Sequence, residues 1–226
     1  MKVRNSTFIL EHFPIFSSLN ESEMTLLENM VEKHTVPKYS FIYLPDEASK
    51  HILFLCKGAI KIGTHSADGK EVIKAVLHPL AMFGELAIIG ETHRQDFAQA
   101  MNNEVQYLSL KVEDFKRLMQ TNFDLCSHVL SMMGNRLIKA ENRLEGLIFK
   151  DARTRIVDFI KDFAENRGRQ VGYERLFKHS LTQQDIANLT GTSRQTVTSV
   201  LNDLRKSNLI YFNRNSILIR DMAKLA

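Results

Sequence analysis

The chain has 226 residues, of which 44% are hydrophobic, so it can form one large domain or two ordinary ones around a real core. It contains no uninterrupted apolar run of the roughly eighteen residues that cross a bilayer, and no secretory leader pattern, so we expect a cytoplasmic protein without a membrane partner. The net charge is only +4, but residues 151–226 hold 13 Lys and Arg against 8 Asp and Glu, a local balance of +5 that favours an acidic partner.

Two cysteines and eight histidines set limits on the chemistry. Cys56 and Cys126 are far apart and form no CxxC pair, which argues against a disulfide framework and against an iron–sulfur cluster. The histidines show neither HxH nor HxxxH spacing, so local sequence predicts no metal site. The chain has no nucleophile elbow and no GK[ST] phosphate loop, so we predict that it is not an enzyme.

The N-terminal half predicts short helices followed by a β-rich segment. Apolar residues on either side of Pro14 and from Met24 to Val31 are consistent with helices within residues 1–33. From Thr35 to Leu110, short apolar runs alternate with turn signals, and this spacing predicts a β-roll or barrel of about eight strands. The predicted strands cover residues 40–44, 52–56, 59–64, 72–77, 97–101 and 105–110.

A possible ligand site lies within this β-rich segment. The turn Gly84-Glu85-Leu86 is followed by Arg94 and Gln95. Backbone N–H groups of such a turn and the Arg94 guanidinium suit a phosphate, and the Glu85 carboxylate suits ribose hydroxyls. An ordinary turn between strands with a solvated arginine would produce the same pattern, so both interpretations stay open.

A long helix is predicted from Phe123 to Lys150. Its apolar residues recur in steps of four and three, the repeat of a two-helix coiled coil, and polar residues cover its other faces. The alternative is a helix packed on its own domain, but the apolar stripe is narrow for that purpose. We therefore predict a parallel homodimer. The predicted interface residues are Leu130, Met133, Leu137, Ala140, Leu144 and Leu147.

The C-terminal segment predicts two short helices joined by a tight turn. After a first amphipathic helix from Asp151 and a loop up to His179, Thr182 and Asp185 form a capping box, which marks a helix start. Gly191 ends that helix, and Ser193 caps the next. The second helix carries an apolar stripe, formed by Val197, Val200, Leu201 and Leu204.

The outward face of the second helix carries polar residues of the kind that read base edges. Arginine can pair bidentately with guanine and glutamine with adenine, while hydroxyl groups bond to phosphates or bases. This pattern predicts a DNA-binding helix-turn-helix rather than an ordinary helical hairpin. Two apolar runs, 209–212 and 217–219, flank Asn213-Arg214-Asn215-Ser216 and predict a β-hairpin wing. The predicted DNA contacts are Thr182, Ser193, Arg194, Gln195, Thr198 and Ser199.

In this order, the roll, the Phe83-Gly84-Glu85-Leu86 run, the long helix and the winged helix-turn-helix resemble the Crp/Fnr superfamily of bacterial transcription regulators. The resemblance implies an α+β fold with a cyclic-nucleotide-binding-like roll in residues 1–122, a dimerisation helix in 123–150 and a DNA-binding domain in 151–226. It also implies a sensing roll coupled through the long helix to paired recognition helices on double-stranded DNA, with RNA polymerase as a further partner.

Departures from the family pattern bear on the effector. In the cyclic-AMP branch, a hydroxyl residue and a small residue follow the cassette arginine, whereas Gln95 and Asp96 stand here, and a carboxylate repels an anion. Matching the heptads places Ala140 and Glu141 where that branch offers hydroxyls to the adenine. These changes argue against cyclic AMP and leave the effector unknown. Two alternatives stay open: a cyclic-nucleotide-binding regulatory module of a partner protein, and a DNA-binding regulator without a small-molecule effector.

Overall fold

The computed structural model of the protein describes residues 10–225, so residues 1–9 of the predicted N-terminal domain and Ala226 lie outside it. The described chain forms two compact units, one with residues up to Thr64 and Lys74–Ile138, the other with His65–Ile73 and residues from Lys139 onward. The strands are β1 Glu32–Val36, β2 Phe41–Tyr43, β3 His51–Lys57, β4 Ile60–His65, β5 Glu71–Leu77, β6 Met82–Phe83, β7 Phe97–Ala100, β8 Val105–Lys111, β9 Arg169–Val171, β10 Glu174–Lys178, β11 Ile210–Asn213 and β12 Ser216–Ile219. The α-helices are α1 Glu21–Met30, α2 Val112–Thr121, α3 Phe123–Phe149, α4 Ala152–Arg167, α5 Gln183–Thr190 and α6 Arg194–Lys206.

The predicted α+β class with an N-terminal roll is confirmed. Strands β1–β8 form two four-stranded sheets, in the orders β1-β8-β3-β6 and β2-β7-β4-β5. Strand β3 explains why the sequence contains the continuous apolar run Ile52-Leu53-Phe54-Leu55: successive side chains of a strand point to opposite faces, and both faces are covered. Ile52 and Phe54 pack with the helices, whereas Leu53 and Leu55 pack between the sheets.

The core on the helical side of the roll is rich in aromatic rings. Phe16, from the short 3₁₀ helix Pro14–Phe16, lies with its ring centroid 5.0 Å from that of Phe54, and Phe115 of α2 lies 6.1 Å from the same ring. Leu125 and Val129, in the first turns of α3, are fully buried in the same cluster. The start of the long helix is thereby fixed to the roll.

Several elements were not predicted. Strand β1 begins within the segment assigned to helices, and it was missed because Glu32–Val36 holds a single large apolar side chain and lies at a sheet edge. Helix α2 also escaped prediction, although Val112, Phe115 and Leu118 recur at helical spacing and are buried.

The C-terminal residues form three helices and a four-stranded sheet of order β11-β12-β10-β9. The predicted wing is present as β11 and β12, which pair from Ile210↔Ile219 to Asn213↔Ser216. The predicted loop before His179 was wrong: it contains the hairpin β9–β10, whose two-residue turn has Gly172 at φ 60°. Strand β9 was missed because two of its three residues, Arg169 and Gln170, are polar and all three are exposed, so the strand has no alternating apolar pattern.

Candidate nucleic-acid interface and effector site

The helix-turn-helix begins with the predicted capping box. The Thr182 hydroxyl accepts from the Asp185 backbone N–H at 3.0 Å, and the Asp185 carboxylate accepts from the Thr182 N–H at 2.8 Å. Gly191 ends α5 at φ 62°, a left-handed conformation that costs glycine little. Ser193 then caps α6 by accepting from the Thr196 N–H at 3.0 Å.

Helix α6 presents a polar face to solvent. Its inner stripe, Val197, Val200, Leu201 and Leu204, is almost fully buried in the domain core. The opposite side forms a surface that is open to solvent. This surface is lined by Arg194, Gln195, Thr198, Ser199 and Asn202.

The predicted DNA contacts differ in their surroundings. Arg194, Gln195 and Ser199 are exposed, and so are the cap residues Thr182 and Ser193. Thr198 is half-buried, and its hydroxyl lies 2.6 Å from Gln183 Oε1 and 2.9 Å from the Arg194 carbonyl oxygen. Gln183 was not among the predicted DNA contacts, although its place at the first position of α5, directly after the capping Thr182, was a signal for it.

The Gly84–Arg94 segment forms a compact site in which the arginine is bound by its own chain. Arg94 is only 4% exposed. Its Nη1 donates to the Gly84 carbonyl oxygen at 3.0 Å, and its Nη2 donates to the His51 carbonyl oxygen. The guanidinium carbon lies 4.6 Å from the Tyr43 ring centroid, and Nη1 lies 3.7 Å from Glu91 Oε2.

Gly84 is required by this arrangement. It adopts φ 70°, and a Cβ built on it would stand 2.8 Å from Arg94 Nη1. Burial, followed by the negative charge of Asp96, raises the pKa of the Tyr43 hydroxyl above its usual range, so the phenol under the guanidinium stays neutral. Lys74 Nζ lies 3.1 Å from Asp96 Oδ2 and offsets that charge.

Glu85, the residue predicted to bind ribose, is also engaged by the chain. It is buried and forms an ion pair with Arg136 of α3, which also donates to the Met82 carbonyl oxygen. Arg136 was predicted only as one of the polar residues that cover α3, so its contact with the turn was missed. Leu86 is 40% exposed, and Gln95 is exposed with its side-chain amide donating to the His93 carbonyl oxygen at 3.2 Å.

Helix α3 places its predicted interface residues in different environments. Leu130, Leu137 and Leu144 are 63%, 60% and 60% exposed, an unusual state for leucines one heptad apart. Ala140 and its neighbour Glu141 are exposed as well, in the part of α3 that belongs to the second unit.

Two predicted seam residues of α3 have further contacts within the chain, and one exposed residue was not predicted. Met133 is half-buried and packs against the core of the roll. Leu147 is 47% exposed and contacts Gly191. Phe123, one heptad before Leu130 and 81% exposed, extends the apolar row and was not included in the prediction.

Neither a metal-ligand cluster nor a membrane-spanning helix is found in the described part of the chain. Residues 10–225 contain no group of three or more His, Cys, Asp or Glu side chains placed to hold a metal ion. Of the helices formed by these same residues, none combines the length and apolar character needed to cross a bilayer.

Comparison with known proteins assigns the chain to a family. Residues 33–122 match the model of the cyclic nucleotide-binding domain, and residues 154–226 match that of the Crp-like helix-turn-helix domain. The CRP-like cAMP-activated global transcriptional regulator of Mycobacterium tuberculosis is 28% identical over 218 residues, covering 96% of this chain and 97% of that protein. The global nitrogen regulator of a Synechocystis species is 26% identical over 193 residues, covering 85% of this chain and 86% of that protein.

Solved structures share the fold. A double mutant of CooA from Carboxydothermus hydrogenoformans superposes with a TM-score of 0.80 at 24% identity, covering 96% of this chain and 93% of that one. FixK2 from Bradyrhizobium japonicum gives a TM-score of 0.77 at 19% identity, covering 86% of this chain and 95% of that one. With the roll, the long helix and the helix-turn-helix all in place, the chain belongs to the Crp/Fnr family of transcription regulators.

Proposed function

We propose that the protein is a homodimeric, sequence-specific DNA-binding regulator whose roll senses a small effector and whose long helix couples the roll to DNA binding. The observation that carries this proposal is the solvent-facing polar surface of α6, opposite a fully packed apolar stripe. A regulatory module that only bound a nucleotide for a partner protein would have no use for such a surface.

In this function α6 enters the major groove and its first turns face the bases. In this proposal Arg194 pairs with a guanine and Gln195 with an adenine, while Ser199 bonds to a base edge or a phosphate. All three side chains line the solvent-facing surface of α6. The N-termini of α5 and α6, capped by Thr182 and Ser193, suit the phosphates on either side, because helix N-termini attract anions. Thr198, held by Gln183, keeps the two helices in register as well as contributing to the surface.

We expect Arg194→Ala to weaken binding to the preferred duplex by about 1–3 kcal/mol and to relax base preference at one position per half-site, as loss of a bidentate guanine contact does. The measurement is a mobility-shift series on the preferred duplex, its single-base variants and random DNA. Lys206→Ala, which removes an exposed positive charge from the other end of α6, is the matched control and should leave base preference unchanged. Equal losses for Arg194→Ala on specific and random duplexes would contradict a base-reading role.

The homodimer is supported by the exposed leucines of α3. Three leucines at successive heptads are exposed to a similar degree in the single chain. A second copy of the same helix, packed in parallel, buries all three. A dimer also doubles the reading surface, so that two α6 helices contact successive major grooves of a near-palindromic site.

For the effector, we propose that cyclic AMP is not the ligand of the roll. The groups suited to a cyclic phosphate and a ribose, Arg94 and Glu85, bond to the chain itself. The Asp96 carboxylate adds a negative charge 3.4 Å from the hydroxyl of Tyr43, whose ring Arg94 contacts. The same observation favours a second candidate function, a DNA-binding regulator in which the roll serves as a scaffold for the dimer. A cytoplasmic location and an interaction with RNA polymerase follow from a role at promoters.

Calorimetry distinguishes these candidates. We expect cyclic AMP and cyclic GMP to bind with dissociation constants weaker than about 1 mM, because a binding phosphate would have to displace two carbonyl hydrogen bonds of Arg94. The same titration with 2-oxoglutarate and with haem tests for other effectors. Micromolar binding of a cyclic nucleotide that is lost in Glu85→Gln would show that the site opens and that this expectation is wrong.

A further inference from the structure

The turn between α5 and α6 is tied to the end of the long helix by one guanidinium. Arg143 of α3 donates through Nη2 to the carbonyl oxygen of Leu189, in the last turn of α5. Arg143 is half-buried, and this burial lowers the pKa of its guanidinium. Cationic groups near the C-terminus of a helix are favoured, since the last carbonyl oxygens carry negative partial charge.

Leu147, one turn further along α3, meets the same turn by packing. A Cβ built on Gly191 would stand 2.9 Å from Leu147 Cδ2, so the leucine lies directly against the glycine backbone. Gly191 is therefore needed for close approach as well as for its left-handed conformation. Leu147 falls on the second heptad row of the predicted seam, seven residues after Ala140, so one side chain belongs to both the seam and the turn.

A second guanidinium, that of Arg155 in α4, also bonds to the turn. Arg155 donates through Nε to the Thr190 carbonyl oxygen at 2.9 Å and through Nη2 to the Gly191 carbonyl oxygen at 3.1 Å. Its Nη1 donates to the carbonyl oxygen of Lys150, the residue after α3, at 2.6 Å. Three successive carbonyls of the turn thus bond to two arginines, and both arginines lead back to the C-terminal end of α3.

We propose that Arg143 is a positioning residue for the paired reading of DNA: it holds the helix-turn-helix at a fixed orientation to the dimer helix. Arg143 and Leu147 hold the turn before α6 against the C-terminal end of the dimer helix. Arg155 bonds both to this turn and to Lys150, so the connection between α3 and α4 is held in the same arrangement. The inference rests on the proposed dimeric function, because orientation to the seam matters only when two reading helices act together. Half-site spacing is then set by the turn contacts as well as by the seam.

The test compares paired and single half-sites. Wild-type protein selects its preferred duplex from a random library, and three further probes are made from that duplex. One has its second half-site scrambled, and the others carry one or two base pairs inserted at the centre. We expect Arg143→Ala to lose about tenfold in affinity for the paired duplex and less than about twofold for the single half-site. The variant still reads one half-site, but its two α6 helices no longer fit both half-sites at the same time. Its discrimination between the original and the lengthened spacings should shrink by a similar factor.

Arg143→Lys, which keeps a donor for Leu189, should recover part of the spacing preference. Arg117→Ala removes an exposed arginine from the roll, where it pairs with Asp114 at 3.5 Å, and should behave as wild type. An equal loss for Arg143→Ala on paired and single half-sites, or an unchanged spacing preference, would overturn the positioning role. Failure of the dimeric function itself looks different, since wild-type protein would then bind paired and single half-sites equally.

Discussion

Leu137→Lys should convert the protein to a 26.0 kDa monomer and weaken binding to the paired duplex by roughly 100-fold or more. Leu137 lies at the middle of the heptad row and is 60% exposed in the single chain. A parallel dimer places the two copies of this residue opposite each other, so the change removes two leucines from the interface at about 1.5–3 kcal/mol each. It also brings two like charges together. Sedimentation equilibrium at several protein concentrations measures the effect.

Ile138→Lys is the matched control. Ile138 is the next residue of the same helix, it is 54% exposed, and it lies outside the heptad row. The two variants introduce the same charge at neighbouring exposed apolar positions. They differ only in that Leu137 belongs to the heptad row and Ile138 does not. A wild-type chain that sediments as a monomer at micromolar concentration, or two variants with equal effects, would contradict the proposed seam.

The helix-turn-helix was predictable because its signals are local. Thr182 with Asp185, Gly191 and Ser193 each fix a helix end through bonds to residues a few positions away, and the structure has all of these bonds. The apolar stripe of α6 then leaves the polar face outward by elimination. Pattern alone placed the surface correctly, but it missed the bond between Thr198 and Gln183, because that bond depends on how two helices pack.

The roll was predictable as an architecture and unpredictable in its site. Alternating apolar runs located six strands, whereas β1 and β6 carry too little apolar pattern to be detected. The partners of Arg94 come from Gly84, His51 and Tyr43, which belong to three distant segments. Only the fold brings them together, and sequence spacing could not distinguish a phosphate ligand from a structural cation.

The long helix was also predictable only in part. Its length and its row of leucines follow from the 3.5-residue repeat, and α3 ends one residue before the predicted limit. The sequence could not assign Met133 or Arg136, because one packs on the core of the roll and the other pairs with Glu85. Both contacts depend on the neighbouring roll, which the repeat does not describe.

Arg94→Ala should lower the free energy of unfolding of the roll by about 3–5 kcal/mol, the range for removing one partner from a buried charged network. The guanidinium is 4% exposed, and its loss leaves the Gly84 and His51 carbonyl oxygens without these donors. It also removes the cation over the Tyr43 ring and the charge beside Glu91. A loss of this size corresponds to a fall of about 10 °C in melting temperature for a chain of this length, measurable by scanning calorimetry without any ligand.

Two further variants separate a structural cation from a phosphate ligand. Arg94→Lys retains the charge but not the planar fork, so it should lose about half as much stability, while the exposed Arg117→Ala should change it by less than about 0.5 kcal/mol. An arginine kept for a phosphate would give the reverse pattern: Arg94→Ala would melt like the wild type in the absence of nucleotide, and only the stabilisation by added nucleotide would disappear. Because the carbonyl bonds of Arg94 form within the chain itself, we expect the full loss of stability in ligand-free protein.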